Sequence, residues 1–467
     1  MRSALTRWTI VAIPIVAIVV LPAPHAVTPP AWRMLGIFVA TIIGVILQPI
    51  PMAAVVLAGL TASVFAGAVT LEKALGGWAN PLVWLVLTAF LMSRGMIKTG
   101  LGRRIALVFI RAIGSSPLGL GYALLSTDLV LATFIPSNGA RCGGILFPIT
   151  LSLTEAFDSR PGPTARRLGA FLMKVVYQGD VIVAAMFLTG QASNVLMADL
   201  ARKVAGVEIT YARWALAGLA PGLVSLVALP FLLRRLVPPE IRDTRDAPKM
   251  AAAELERMGP MQRPEQVMLA VFALVASLWI GSSWLPFHNT AVALLGVSVL
   301  LISGVLTWQD VLGERAAWDV FIWYGGLIKM AEILNDYGLT RIFAESTSGL
   351  TAGWPWWIAL AVLLLTYFYA HYAFASITAH AAAMYTPFVA VALAAGAPPF
   401  LAAFSFAAFS NLDASLTHYG TTPAPIYFGA GYVSQTTWWR VGFVVSLLTI
   451  VVWAIVGVGW WRLLGLW

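Results

Sequence analysis

The chain has 467 residues, 60% of them hydrophobic and 10% charged, with a mean hydropathy of +0.85. Soluble domains carry about a quarter charged residues, so that class is excluded. The formal charge of +9 is spread over loops without an aromatic-interleaved basic patch, which argues against a nucleic-acid partner, and the single cysteine, Cys142, excludes an internal disulfide or a cysteine-based metal cluster.

Apolar stretches of about 18–20 residues, enough to cross roughly 30 Å of hydrocarbon, recur along the whole chain. The short alternating strands of a membrane barrel are absent. The expected fold is therefore an all-α polytopic membrane protein. The opening MRSALTRWTIVAIPIVAIVVLPAPHA has a basic head and an apolar run but no clean A-x-A site, so residues 1–29 read as a retained extra transmembrane helix. Apolar segments follow near 30–48, 52–69, 81–99, 118–153, 168–200 and 214–236. The polar stretch PPEIRDTRDAPKMAAAELERMGPMQR makes 237–265 a central loop. Segments resume near 266–286, 289–306, 319–334, 355–395, 399–433 and 440–464.

A shift of 239 residues carries 30–48 onto 269–287, 52–69 onto 291–308 and Ser137 onto Ser376. Residues 30–236 and 266–467 thus read as two copies of one architecture. In each copy one segment, 118–153 or 355–395, is broken at its centre by Pro, Gly, Ser or Asn, and its limbs are short for two crossings. Both read as re-entrant hairpins. The first copy then has an odd number of crossings, so the second is inverted, giving about 11 transmembrane helices plus two hairpins. The charges fit this count. Arg2 and Arg7, the group Lys98–Arg111, the group Arg160–Arg167 and the basic residues of 234–263 all fall on one side with the N-terminus cytoplasmic, while loops 49–51 and 285–289 carry no Lys or Arg. Arg202, Lys203 and Arg341 are the exceptions.

The hairpin tips carry the chemistry. The first reads PSNGARCGGILFP and the second FASITAHAAAMYTP, with a basic residue four positions after the serine in each, Arg141 after Ser137 and His380 after Ser376. A tip supplies free N–H groups at the start of a returning helix, where partial positive charge favours anions. Ser137, Asn138, Ser376 and Thr378 add side-chain donors there. Non-helical backbone at membrane depth is tolerated where it is buried or lines a wet cavity. Two tips from inverted repeats should meet near the midplane around a small anion, one with a carboxylate at each end being a good fit. An intramembrane arginine costs several kcal/mol unless paired, which marks Arg141 as a charge-compensating residue. Snorkelling or an ion pair with Asp128 in the other limb are its alternatives. His380 is assigned the matching role, a neutral hydrogen-bonded core histidine being its alternative.

These motifs, with THYGTTPAPIYFGAGY at 417–432 and the closing WWRLLGLW, resemble the divalent anion/sodium symporter family. The closer likeness is to its exchanger branch, the bacterial citrate, tartrate and succinate antiporters and the plastid 2-oxoglutarate/malate translocators. The resemblance implies a homodimer and elevator-type movement of a transport domain. It places Ser137, Asn138 and Gly139 at the first substrate-binding tip and Ser376 and Thr378 at the second, with Gly190 and Thr421 in unwound stretches after each hairpin. It also implies that Arg141 and His380 stand where sodium ions sit in sodium-coupled members. Three positions depart from the family pattern: Gly139 replaces Thr, Ile377 replaces a polar residue, and Asp413 replaces a small one.

The expected activity is sodium-independent exchange of di- or tricarboxylates (malate, succinate, 2-oxoglutarate, tartrate or citrate) across the inner membrane of the cell. An uncompensated buried cation at the tips would hinder the return of the empty carrier. Sodium-coupled symport is the alternative. No cofactor or metal is expected, and an enzyme is disfavoured because His25, His288, His371, His380 and His418 show no HExxH-type spacing. His371 and His418 read as supporting or packing residues. Membrane lipid is the remaining expected partner.

Overall fold

The computed structural model describes residues 4–24, 27–281, 287–339, 342, 346, 349 and 353–467. Arg2, His25, Arg341 and the loop positions 285–286 invoked above lie outside them. Among the described residues every regular element is a helix. Local chemistry sets the helix starts. Asn80 caps Pro81–Thr99 by accepting the Leu82 N–H, Thr210 caps Tyr211–Leu236, and Ser434 caps Gln435–Val452. Gly100 ends Pro81–Thr99 with a left-handed φ of 75° that other residues rarely adopt.

Among the described residues, seven helices are long and apolar enough to cross a membrane by length and composition, beginning with Pro29–Leu47, Pro81–Thr99, Gly169–Met186 and Tyr211–Leu236. Shorter apolar helices include Met52–Phe65, Pro117–Ala132 and Asn289–Ile302. The remaining three long ones are Gln435–Leu463 and the two limbs of the second hairpin, Trp356–Ala373 and Ile377–Ala394. Each limb has 18 residues, at the short end of what a crossing needs. What sets them apart is the non-helical turn at Phe374–Ser376 between them. The first hairpin runs from Pro117–Ala132 through a break at 133–137 into a wide-turned stretch, Gly139–Leu146, and then Phe147–Ala156.

Two further helices are broken. Gly169–Met186, buried along its whole length, stops at extended Phe187 and resumes as Ala192–Ala205. Asn194 donates its side-chain amide to the Ala184 and Phe187 carbonyls (2.8 and 2.9 Å) and so satisfies groups freed by the break. The second broken helix, Pro399–Leu412, passes through Asp413–Ser415 and a loop to Pro423–Gly429. There Gln178 donates to the Ser415 carbonyl (3.0 Å) and Tyr177 to that of Ala414 (2.6 Å). The two broken helices are joined directly, Asn411 donating to the Asn194 side-chain carbonyl at 2.8 Å.

Pro29–Leu47, Met52–Phe65 and Arg315–Asp336 share a separate apolar core built on Met34, Ile37, Leu60, Met330 and Ile333. The central loop folds back onto the basic segment after Pro81–Thr99: Arg104 grips Glu265 with two hydrogen bonds (2.6 and 3.0 Å), and Arg103 meets Glu254 at 2.8 Å. Arg104 holds the Glu265 carboxyl below its ordinary value. Two of the exceptions to the charge pattern, Arg202 and Lys203, both pair with buried Asp199 (2.8 and 2.7 Å).

Candidate substrate site between the hairpin tips

A cavity of about 660 Å³ lies beside the second tip, lined by Ser376, Ile377, Thr378, Gln191, Tyr419, Thr421 and Thr422, with Asp319 and the turn Gln48–Met52 opposite. Ser376 caps the returning helix by accepting the Ala379 N–H (3.4 Å), which fixes the tip. Ser137 and Gly139 line a second, smaller cavity of about 280 Å³ with Arg94, Glu314 and Thr422. Asn138 is buried and donates to the Thr421 hydroxyl at 2.7 Å, so the first tip is bonded directly to the second unwound stretch. Thr422 lines both cavities.

Gly139 has a steric reason. A Cβ there would lie 2.9 Å from Thr422 Cγ2, closer than real contacts allow. The place of the hydroxyl that the family pattern puts at 139 is thus taken by a side chain from the other repeat. Gly190 lies in the unwound stretch, as expected, but faces away from the larger cavity. It is buried, a Cβ would strike the Ala184 carbonyl oxygen at 2.4 Å, and its own carbonyl turns away to Arg141, while its neighbour Gln191 lines the cavity.

Arg141 is fully buried and spends four of its five N–H donors inside the protein. Its Nε donates to Asp128 Oδ1 (2.9 Å) and one terminal nitrogen to Asp180 Oδ1 (3.0 Å), and the other donates to the carbonyls of Ile135 and Gly190 (both 2.7 Å). The expectation of an uncompensated cation is corrected: two carboxylates face one guanidinium, and their second oxygens take no hydrogen bond. Of the readings open from the sequence, the pair with Asp128 is the one present. Asp180 was not foreseen.

His380 is likewise buried, one turn beyond Ser376, whose carbonyl accepts its backbone N–H at 3.1 Å. Its Nδ1 lies 3.0 Å from Asp413 Oδ2. The shift that carries Arg141 onto His380 carries Asp128 onto Tyr367, and the Tyr367 ring packs on the His380 ring at 4.3 Å. His371 Nε2 meets the Gly420 carbonyl at 3.0 Å, as Arg141 meets that of Gly190. A buried cationic or imidazole group therefore grips the unwound glycine of each repeat. Neither Arg141 nor His380 lines the larger cavity. His418 stands apart, accepting from the Trp439 indole at 3.0 Å.

One polar hairpin tip and residues of two unwound helices around a cavity, with the other tip bonded to Thr421 beside it, make up in an all-α membrane protein the arrangement of a transporter. The sequence model of the sodium:sulfate symporter transmembrane region matches residues 2–467, and the chain belongs to that family of divalent anion transporters. It is similar to Bacillus subtilis YflS, which carries a provisional malate-transporter name (47% identity over 448 residues, 96% of this chain and 94% of that one). Arabidopsis thaliana chloroplastic dicarboxylate transporter 1 is 45% identical over 449 residues, 96% and 81% of the two chains. Escherichia coli inner membrane protein YbhI is 35% identical over 462 residues, 97% and 96% of the two chains. Among solved structures, the Alcanivorax borkumensis YdaH transporter shares the fold at a TM-score of 0.54 and 13% identity, over 95% of this chain and 99% of that one. The chain is a multi-pass membrane transporter, not an enzyme.

Proposed function

We propose that the protein exchanges one dicarboxylate for another across the inner membrane without sodium. The dicarboxylate class is supported by the names of the chloroplastic transporter and YflS, and the membrane by that of YbhI. The observation that carries exchange is the way Arg141 is held. Carbonyls of Ile135 and Gly190 that could cage a mobile cation are filled by a guanidinium belonging to the chain. The tip is therefore set without any ion to lose. An empty carrier keeps an unfilled polar cavity with its N–H groups exposed, and drawing that cavity through an apolar seal is costly. A bound dianion fills it. Movement then occurs mainly in the loaded state.

On this reading Ser376, Thr378 and Thr421 contact the substrate directly, with Ser137, Asn138 and Gly139 forming the other wall, and Arg141 and His380 act from behind the tips. The repeats 30–236 and 266–467, joined by a cytoplasmic 237–265 and preceded by the extra helix 1–29 with a cytoplasmic N-terminus, make a lipid-embedded homodimer. The transport domain moves as an elevator against a scaffold containing the separate core of Met34, Leu60 and Met330.

Proteoliposomes preloaded with malate or succinate should take up labelled dicarboxylate in sodium-free buffer, while empty ones given a sodium gradient take up little. The reverse pattern rejects exchange. It would support the second reading, sodium-coupled symport, which the description of the family model favours.

A further inference from the structure

Behind the second tip the structure brings His380 together with two groups, His371 and Asp413, that the exchange reading leaves without a role. His371 Nδ1 lies 3.4 Å from Asp413 Oδ1, and His380 Nδ1 lies 3.0 Å from Asp413 Oδ2. The three ligand atoms fall within 4.8 Å of one another, and all three side chains are fully buried. None of His371 Nδ1, His380 Nδ1 or the two Asp413 oxygens has a hydrogen-bond partner of acceptable direction.

The tautomer of His371 makes this contact informative. Its Nε2 faces the Gly420 carbonyl, which can only accept, so Nε2 carries the hydrogen and Nδ1 keeps its lone pair. That lone pair looks at a carboxylate in a dry interior. Two acceptors held face to face repel unless a proton or a metal cation lies between them. Imidazole nitrogen is a poor partner for sodium, which prefers oxygen, but nitrogen with carboxylate oxygen suits zinc-type ions. Ligands bound about 2.0–2.2 Å from one tetrahedral ion stand roughly 3.3 Å apart, close to the two histidine–carboxylate separations of 3.4 and 3.0 Å. A ligating imidazole that donates its other N–H to a backbone carbonyl is also the usual supporting arrangement.

We propose that His371, His380 and Asp413 hold a divalent transition-metal ion of the zinc or cobalt type, resident in the body behind the second tip. With both imidazoles neutral, the occupied site carries one net positive charge. It lies one turn from Ser376 and is tied through Gly420 to Tyr419 and Thr421, so it adds to the positive field of the anion cavity. The phenols of Tyr177 and Tyr367 are the other titratable groups turned toward Asp413. The site stands whether or not transport is exchange.

The test uses the full chain purified in detergent, stripped with a chelator and titrated with cobalt(II) and zinc(II). The wild type should bind one ion per chain, show the ligand-field absorption of tetrahedral cobalt and melt at a higher temperature with zinc. His371→Gln, His380→Gln and Asp413→Asn should each weaken cobalt binding at least about tenfold. His418→Gln, at the outlying histidine, should leave it unchanged. Wild type that binds no stoichiometric cobalt, or keeps its melting temperature in zinc, overturns the proposal. So does a trio that only takes up protons, seen as a pH-dependent melting temperature indifferent to metal.

Discussion

Gly139 and Thr422 form one contact with a direct test. Gly139→Ala should force a Cβ against Thr422 Cγ2 at 2.9 Å, with an overpacking cost of about 1–3 kcal/mol and a lower exchange rate. Thr422→Ser removes the obstructing methyl and should restore much of the activity, read as labelled dicarboxylate uptake by the double variant. Arg141 makes an asymmetric prediction. Arg141→Ala leaves two carboxylates buried without a cation and should cost about 3–5 kcal/mol, whereas Asp128→Asn leaves one carboxylate facing the guanidinium and should cost less. Thermal melts of the purified variants rank the two.

At the scale of elements, the first hairpin is stitched to the second broken helix by Asn138 and Thr421. Asn138→Ala and Thr421→Ala should each destabilise, and the double variant by less than their sum, with a coupling of about 1 kcal/mol from melts of the four proteins. Both tips were legible in the sequence, because Pro, Gly, Ser and Asn interrupt apolar runs at matched spacing and a broken helix must expose donors. What bonds to the tips was not. Asn138 and Thr421 are 283 positions apart. Asp180 sits in Gly169–Met186, a helix buried on every side, so no amphipathic stripe points to the face that meets Arg141. Asp413 stood out as unusual, but only tertiary packing brings it against His371 and His380.

Across the whole molecule, an apolar cavity of about 260 Å³ lies where the separate core approaches the second hairpin, lined by Phe38 and Val39 on one side and Ala382 and Ala383 on the other. If the bodies slide past each other, joining Phe38→Cys to Ala383→Cys with a bifunctional thiol reagent should stop exchange. Either substitution alone treated with the reagent should not. The one native cysteine, Cys142, is buried and should stay silent. The anchoring of Arg141 has a wider meaning for such a carrier. A cation that is part of the polypeptide is present at full occupancy in any medium, fresh or saline, and cannot be thinned by dilution. If transport is exchange, the direction of net traffic is decided by the relative abundance of the two cargoes on either side, and a cell whose sodium gradient collapses still trades one acid for another.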